Sequence, residues 1–195
     1  PHVWTSPKQA KIQVDNIVNT LSQASPQAKD AFTAAGKKYT DQLEDLDKWA
    51  SDSMSAVPEQ DRVLFSSHDA FGYFSNEYGV KFIGSALSDF NHQQDATSSH
   101  IDEQVKKVRE SGAKAIFAEN SNNSKSIEAI ARAAGVKAVT SDDALYGDSL
   151  GVPGSEGETY IGSIVHNINT LVSAWDSKQQ PLPESLQEFD FAKRK

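Results

Sequence analysis

The apolar positions of this chain recur with two different periods, and the change between them falls near residue 60. Ala10, Val14, Ile17, Val18 and Leu21 repeat at threes and fours, as one face of a helix requires. Phe32, Ala35, Tyr39, Leu43, Leu46, Ala50 and Met54 do the same until Val57-Pro58 interrupts them. Each run is opened by a Ser-Pro pair, Ser6-Pro7 and Ser25-Pro26. A capping hydroxyl there precedes a proline whose missing N–H costs nothing at the first helical position. The spacing predicts a second helix of about 30 residues, roughly 45 Å at 1.5 Å per residue, long enough to brace more than the core it helps to bury.

From Arg62 onward short apolar runs alternate with helical patterns. RVLFS, VKFIG, AIFAE and VKAVT read as strands. DAFGYFSNEYG, HIDEQVKKVRES, KSIEAIARAAG and TYIGSIVHNINTLVSAW read as helices, the first two stopped by Gly79 and Gly112. Strands that are apolar on both faces and separated by helices predict an α/β fold: a four-stranded, mainly parallel sheet flanked by helices and preceded by the long linker helices. No stretch rich in Gly, Pro or Ser divides the region, so residues 61–195 read as one α/β lobe and residues 1–60 as a helical linker segment.

Composition narrows the chemistry. With 37% hydrophobic and 24% charged residues, the 195-residue chain has the material for a real core. A net charge of −8 repels phosphate backbones and favours cations, which argues against nucleic acid as a partner. The absence of Cys excludes thiolate metal sites and disulfides. No apolar run approaches the roughly 18 residues of a membrane helix.

In a parallel sheet, functional groups gather at the carboxyl ends of the strands. His68 lies just past RVLFSS, Glu119 just past AIFA, and Asp142, Asp143 and Asp148 in the loop beyond VKAVT. Imidazole with carboxylate and no thiol is a donor set for Zn²⁺, Mn²⁺ or Fe²⁺. The ordinary alternatives stay open: carboxylates at strand ends also face water, Asp69 can cap the next helix, and Asn120, Ser121 and Asn122 are turn formers. His92 and His100, in or beside a polar loop, read as solvated, and His166 as a surface residue off the apolar stripe of its helix. The three Trp read as core. GDSLGVPGSEGE lacks the preceding strand, spacing and Lys of a phosphate loop.

PHVWTSP, RVLFSSHDAFGYFSNEYGV, AIFAENSNN and ALYGDSLG followed by GSEGETYIGSIVHNINTLV, in that order, resemble the second half of the metal-binding solute-binding proteins of ABC importers, the TroA-like group. The resemblance runs from Pro1 to about Trp175 and implies two α/β lobes joined by a long helix, with a transition metal held in the cleft. It implies three metal ligands here, His2, His68 and Asp148, with no counterpart for a fourth, a His of the first lobe. Glu119 is expected behind His68, accepting from its imidazole N–H, or as a further ligand. The chain would then be a second lobe with its linker helices, beginning one residue ahead of a ligand.

The function implied by the resemblance is capture of a divalent metal outside the cytoplasmic membrane and delivery to an ABC permease, not catalysis. The complete protein is expected to be a membrane-anchored lipoprotein or periplasmic. Zinc is expected over manganese or iron, because position 68 is His and not Glu. Two other readings are a cell-surface adhesion protein and a metallohydrolase. With only Pro1 before it, His2 is expected to be loosely held, and the face turned to the absent lobe to pair two chains as a homodimer.

Overall fold

The computed structural model describes residues 1–87 and 98–191, so His92 lies outside the described residues. The Ser6 side chain accepts from the Gln9 N–H and caps α1 (Pro7–Ala24), with Pro7 at its first position. The side chain of Ser25 makes no such bond; Pro26–Ala28 instead form a 3-10 turn that runs into α2 (Lys29–Ser55). The two helices pack as a hairpin. A Cβ at Gly36 would fall 2.3 Å from Val18 Cγ2, so their close approach needs glycine there. Ile17 and Leu21 of the predicted apolar stripe are nevertheless 56% and 42% exposed. The stripe on α1 is wider than its principal neighbour, one helix, can cover.

Beyond α2 the chain runs β1 (Val63–Ser66), α3 (Gly72–Tyr78), β2 (Lys81–Ser85), α4 (Ser98–Ser111), β3 (Ala115–Phe117), α5 (Lys125–Ala134), β4 (Lys137–Val139) and α6 (Tyr160–Ala174). Strand β1 pairs in parallel with β2, and β3 with β4; β1 lies beside β3, which gives the order β2, β1, β3, β4. The four strands therefore form two hydrogen-bonded pairs and not one unbroken ladder. Side chains serve the backbone where the pairs meet: the Glu119 N–H donates to Ser67 Oγ at 3.1 Å and the His68 N–H to Glu119 Oε1 at 3.0 Å.

Strand alternation sorts the core onto two faces. Leu64, Ala115 and Phe117 join the apolar side chains of α2, α3 and α6, whereas Val63, Phe65 and Ile116 join those of α4 and α5. The central strands β1 and β3 are buried throughout, as their apolar runs predict. The C-terminal half of α2 belongs to this core through Leu43, Leu46, Ala50 and Met54, and Trp49 donates its indole N–H to Gln180 O at 3.2 Å. Asp69 does not cap α3, which begins only at Gly72. No described helix is long and apolar enough to cross a membrane.

Candidate metal centre

Three parts of the chain converge at one edge of the sheet. His68 stands two residues beyond β1, where the buried strand fixes its backbone and Ser66 Oγ donates to its carbonyl at 2.6 Å. Asp148 sits in the loop that follows β4. Its neighbour Tyr146 is clamped by the Asn167 amide of α6, which accepts from the Tyr146 N–H and donates to the Tyr146 carbonyl, both at 2.8 Å. His2 precedes a 3-10 turn, Val3–Thr5, and its carbonyl accepts from Thr5 Oγ1 at 3.0 Å. The indole of Trp4 donates to Gly147 O at 2.8 Å and ties this turn to the Asp148 loop. The expectation of a loosely held His2 is thus overturned: long-range hydrogen bonds, which the position of a residue in the sequence does not reveal, hold its segment.

The carboxylate of Asp148 faces both imidazoles, His68 Nε2 at 3.1 Å from Oδ2 and His2 Nε2 at 3.3 Å from Oδ1. One donor atom from each of His2, His68 and Asp148 lies within 4.8 Å of the others. Donors about 2.0–2.2 Å from one tetrahedral zinc stand roughly 3.3–3.6 Å apart, so Asp148 stands from each imidazole at close to the spacing of neighbours in one coordination sphere. The His68 side chain is 1% exposed, those of His2 and Asp148 11% and 22%, which leaves the cluster open to solvent on one side.

Glu119 lies at the opposite edge of the His68 ring from Asp148. Its Oε2 is 2.6 Å from His68 Nδ1, and its Oε1 accepts from the His68 N–H, so both oxygens serve one histidine. A carboxylate against Nδ1 keeps the proton there and turns the lone pair of Nε2 toward Asp148, the arrangement a metal-binding imidazole needs. Burial works against protonation of His68, but hydrogen bonding to Glu119, with the charges of Glu119 and Asp148, outweighs it and raises its pKa. His2 moves the other way: burial lowers its pKa, opposed by Asp148 and assisted by His68.

The other candidates fall outside this cluster. Asp142 and Asp143 are exposed in a 3-10 turn, Ser141–Asp143. His100 is half-buried, its Nε2 3.3 Å from Ser85 O. His166 is not a surface residue but 5% exposed, with Nδ1 2.9 Å from Glu156 Oε2 and Nε2 3.0 Å from Ala144 O. The α6 helix is enclosed nearly all round, between the sheet and the loop that carries Asp148, so its polar side also faces protein. Trp4, expected in the core, is 36% exposed and belongs instead to the rim of the site. Neither it nor Asn167 gives a local signal, since each acts on a segment far along the chain.

The family model for ZnuA, the periplasmic component A of the zinc-uptake complex, matches residues 1–174. The chain belongs to the ZnuA family. Within it, the chain is 40% identical over 176 residues to the manganese-binding lipoprotein MntA of Bacillus subtilis, a match covering 89% of this chain and 57% of that protein. It is 32% identical to the zinc-binding protein TroA of Treponema pallidum, over 89% of this chain and 56% of that one. The solved structure of that periplasmic zinc-binding TroA superposes with a TM-score of 0.82 at 31% identity, covering 91% of this chain and 64% of that chain. The α/β architecture read from the strand and helix alternation is that of this ZnuA-family neighbour. The chain spans little more than half the length of the curated relatives it matches.

Proposed function

We propose that this chain is the metal-holding part of the substrate-binding component of an ABC importer, which captures a divalent transition metal outside the cytoplasmic membrane and hands it to a permease. The observation that carries the reading is the convergence of two imidazoles and a carboxylate, one imidazole oriented by a buried Glu. In this reading His2, His68 and Asp148 ligate the ion, and Glu119 holds the tautomer of His68. The fourth position goes to water or to a group outside residues 1–195. Residues 1–60 serve as the linker segment and 61–195 as the lobe, anchored outside the membrane as a lipoprotein or held in the periplasm.

Two nitrogen donors against one carboxylate favour zinc over manganese, since imidazole suits zinc and oxygen ligands suit manganese. The relatives are named for both metals, so the preference rests on the donor set. Calorimetry with Zn²⁺ and with Mn²⁺ on the chain, on His68→Ala and on Asp148→Ala tests the site. Parent binding curves from both variants would place it elsewhere. Replacing His68 by Glu is expected to narrow the gap between the two metals, and an unchanged gap removes the argument for zinc. Tyr73, Leu150 and Val152 are exposed apolar residues, and self-association through them belongs to the same reading. Sedimentation as a strict monomer at high concentration refutes that part.

A further inference from the structure

Of the three tryptophans, Trp49 and Trp175 are core residues at 5% and 0% exposure, whereas Trp4 is 36% exposed yet bonded on two sides. Its indole N–H donates to Gly147 O at 2.8 Å, on the residue before Asp148. Its ring meets the imidazole of His2 edge-on, with centroids 5.3 Å apart. Its carbonyl accepts from Tyr160 Oη at 2.6 Å, at the first residue of α6. One side chain therefore joins the His2 segment to the Asp148 loop, and its backbone joins both to the helix behind them.

The other side of Gly147 is equally confined. A Cβ built there would stand 2.6 Å from Glu119 Oε2, the oxygen that faces His68 Nδ1. The Gly147 backbone thus lies between the Trp4 indole and the Glu119 carboxylate. Each of these governs a different histidine: Trp4 lies against His2, and Glu119 against His68.

We infer that Trp4 is a positioning residue for the metal site: with Gly147 as the joint, it sets the separation between His2 and Asp148 and ties both to the Glu119 and His68 pair. The inference rests on the metal-site reading proposed above. Its physical basis is that Asp148 is carried on a loop, whereas a metal site must hold its donors to within about 0.5 Å. An indole donor of fixed direction onto the preceding carbonyl supplies such a constraint from the segment that carries the neighbouring ligand.

The test is Trp4→Phe in the full chain. The substitution keeps a ring beside His2 and removes the N–H. Zn²⁺ affinity is expected to fall about fivefold, the effect of losing one net hydrogen bond. The visible spectrum of the Co²⁺-loaded variant is expected to differ from the parent spectrum, because the donors around the ion no longer hold the same geometry. Affinity and spectrum both like the parent overturn the inference. Weaker binding with an unchanged Co²⁺ spectrum and a lowered Tm also overturns it, since Trp4 would then only stabilise the fold. If the parent itself takes up no Zn²⁺, the metal-site reading falls first. Should Trp4→Phe fail to fold, Tyr160→Phe removes the other tie. A severalfold loss of Zn²⁺ affinity with a changed Co²⁺ spectrum is expected there, and parent values overturn the inference.

Discussion

Exchanging Glu119 for Gln changes one oxygen for nitrogen at a side chain with 0% exposure. Both oxygens of Glu119 face groups that donate: the His68 N–H at 3.0 Å from Oε1, and Nδ1 at 2.6 Å from Oε2. An amide offers one acceptor and one NH₂, so whichever way the substituted side chain turns, a donor meets a donor. If the NH₂ faces Nδ1, the ring must carry its proton on Nε2, the atom 3.1 Å from Asp148, and an incoming ion has to displace it. If the NH₂ faces the backbone instead, a buried N–H is left without an acceptor, at a cost of about 1–3 kcal/mol to the fold. Loss of an orienting carboxylate lowers metal affinity by about 10–100-fold, or roughly 1.4–2.8 kcal/mol. Calorimetric titration with Zn²⁺ near neutral pH measures the first effect, and thermal unfolding without metal the second. A Glu119→Gln chain with the parent binding curve and the parent Tm would refute the assignment of Glu119 as the group that orients His68.

Three further outcomes are expected from the same geometry. His68→Ala is expected to weaken Zn²⁺ binding by more than the roughly 100-fold limit for an orienting partner, and more than His2→Ala, because His68 is the buried donor and the one backed by a carboxylate; titration of the two variants side by side measures the order. Because the pKa of His68 is raised above its ordinary 6.5, its protonation stabilises the metal-free fold fully below that value, and the contribution is lost as pH rises through the raised one; Zn²⁺ affinity runs the opposite way and climbs over the same window. Metal-free melts of the parent and of His68→Asn from about pH 6 to about pH 8.5 measure the difference, and a parent advantage that grows with pH contradicts the sign. Gly147→Ala would press a methyl group against Glu119, whose Oε2 lies 2.6 Å from the Cβ position, so a loss of about 1–3 kcal/mol is expected in chemical denaturation, with weaker Zn²⁺ binding beside it.

Local pattern determined most of the architecture by itself. The Ser-Pro start of α1, the glycine stop at Gly79, and the buried strands β1 and β3 all rest on interactions within a few residues, which periodicity records. The parallel pairing followed from the alternation of strand and helix, and with it the gathering of His68 and Glu119 at adjacent strand ends. Asp148 was legible as one of three Asp in the loop beyond β4, and only resemblance to known proteins distinguished it; His2 had no signal in the residues at all. Tertiary structure decided the rest. It brought His2 to within 3.3 Å of Asp148, far along the chain, placed Trp4 on Gly147, and buried His166 against a loop that its helical wheel does not contain. It also left Ile17 and Leu21 uncovered, because amphipathic spacing states which face is apolar and not how much neighbouring surface is there to meet it. A one-dimensional pattern carries the forces that act along a helix or a strand. Hydrogen bonds and ion pairs between segments far apart in the chain arise only when the core closes and sets them face to face.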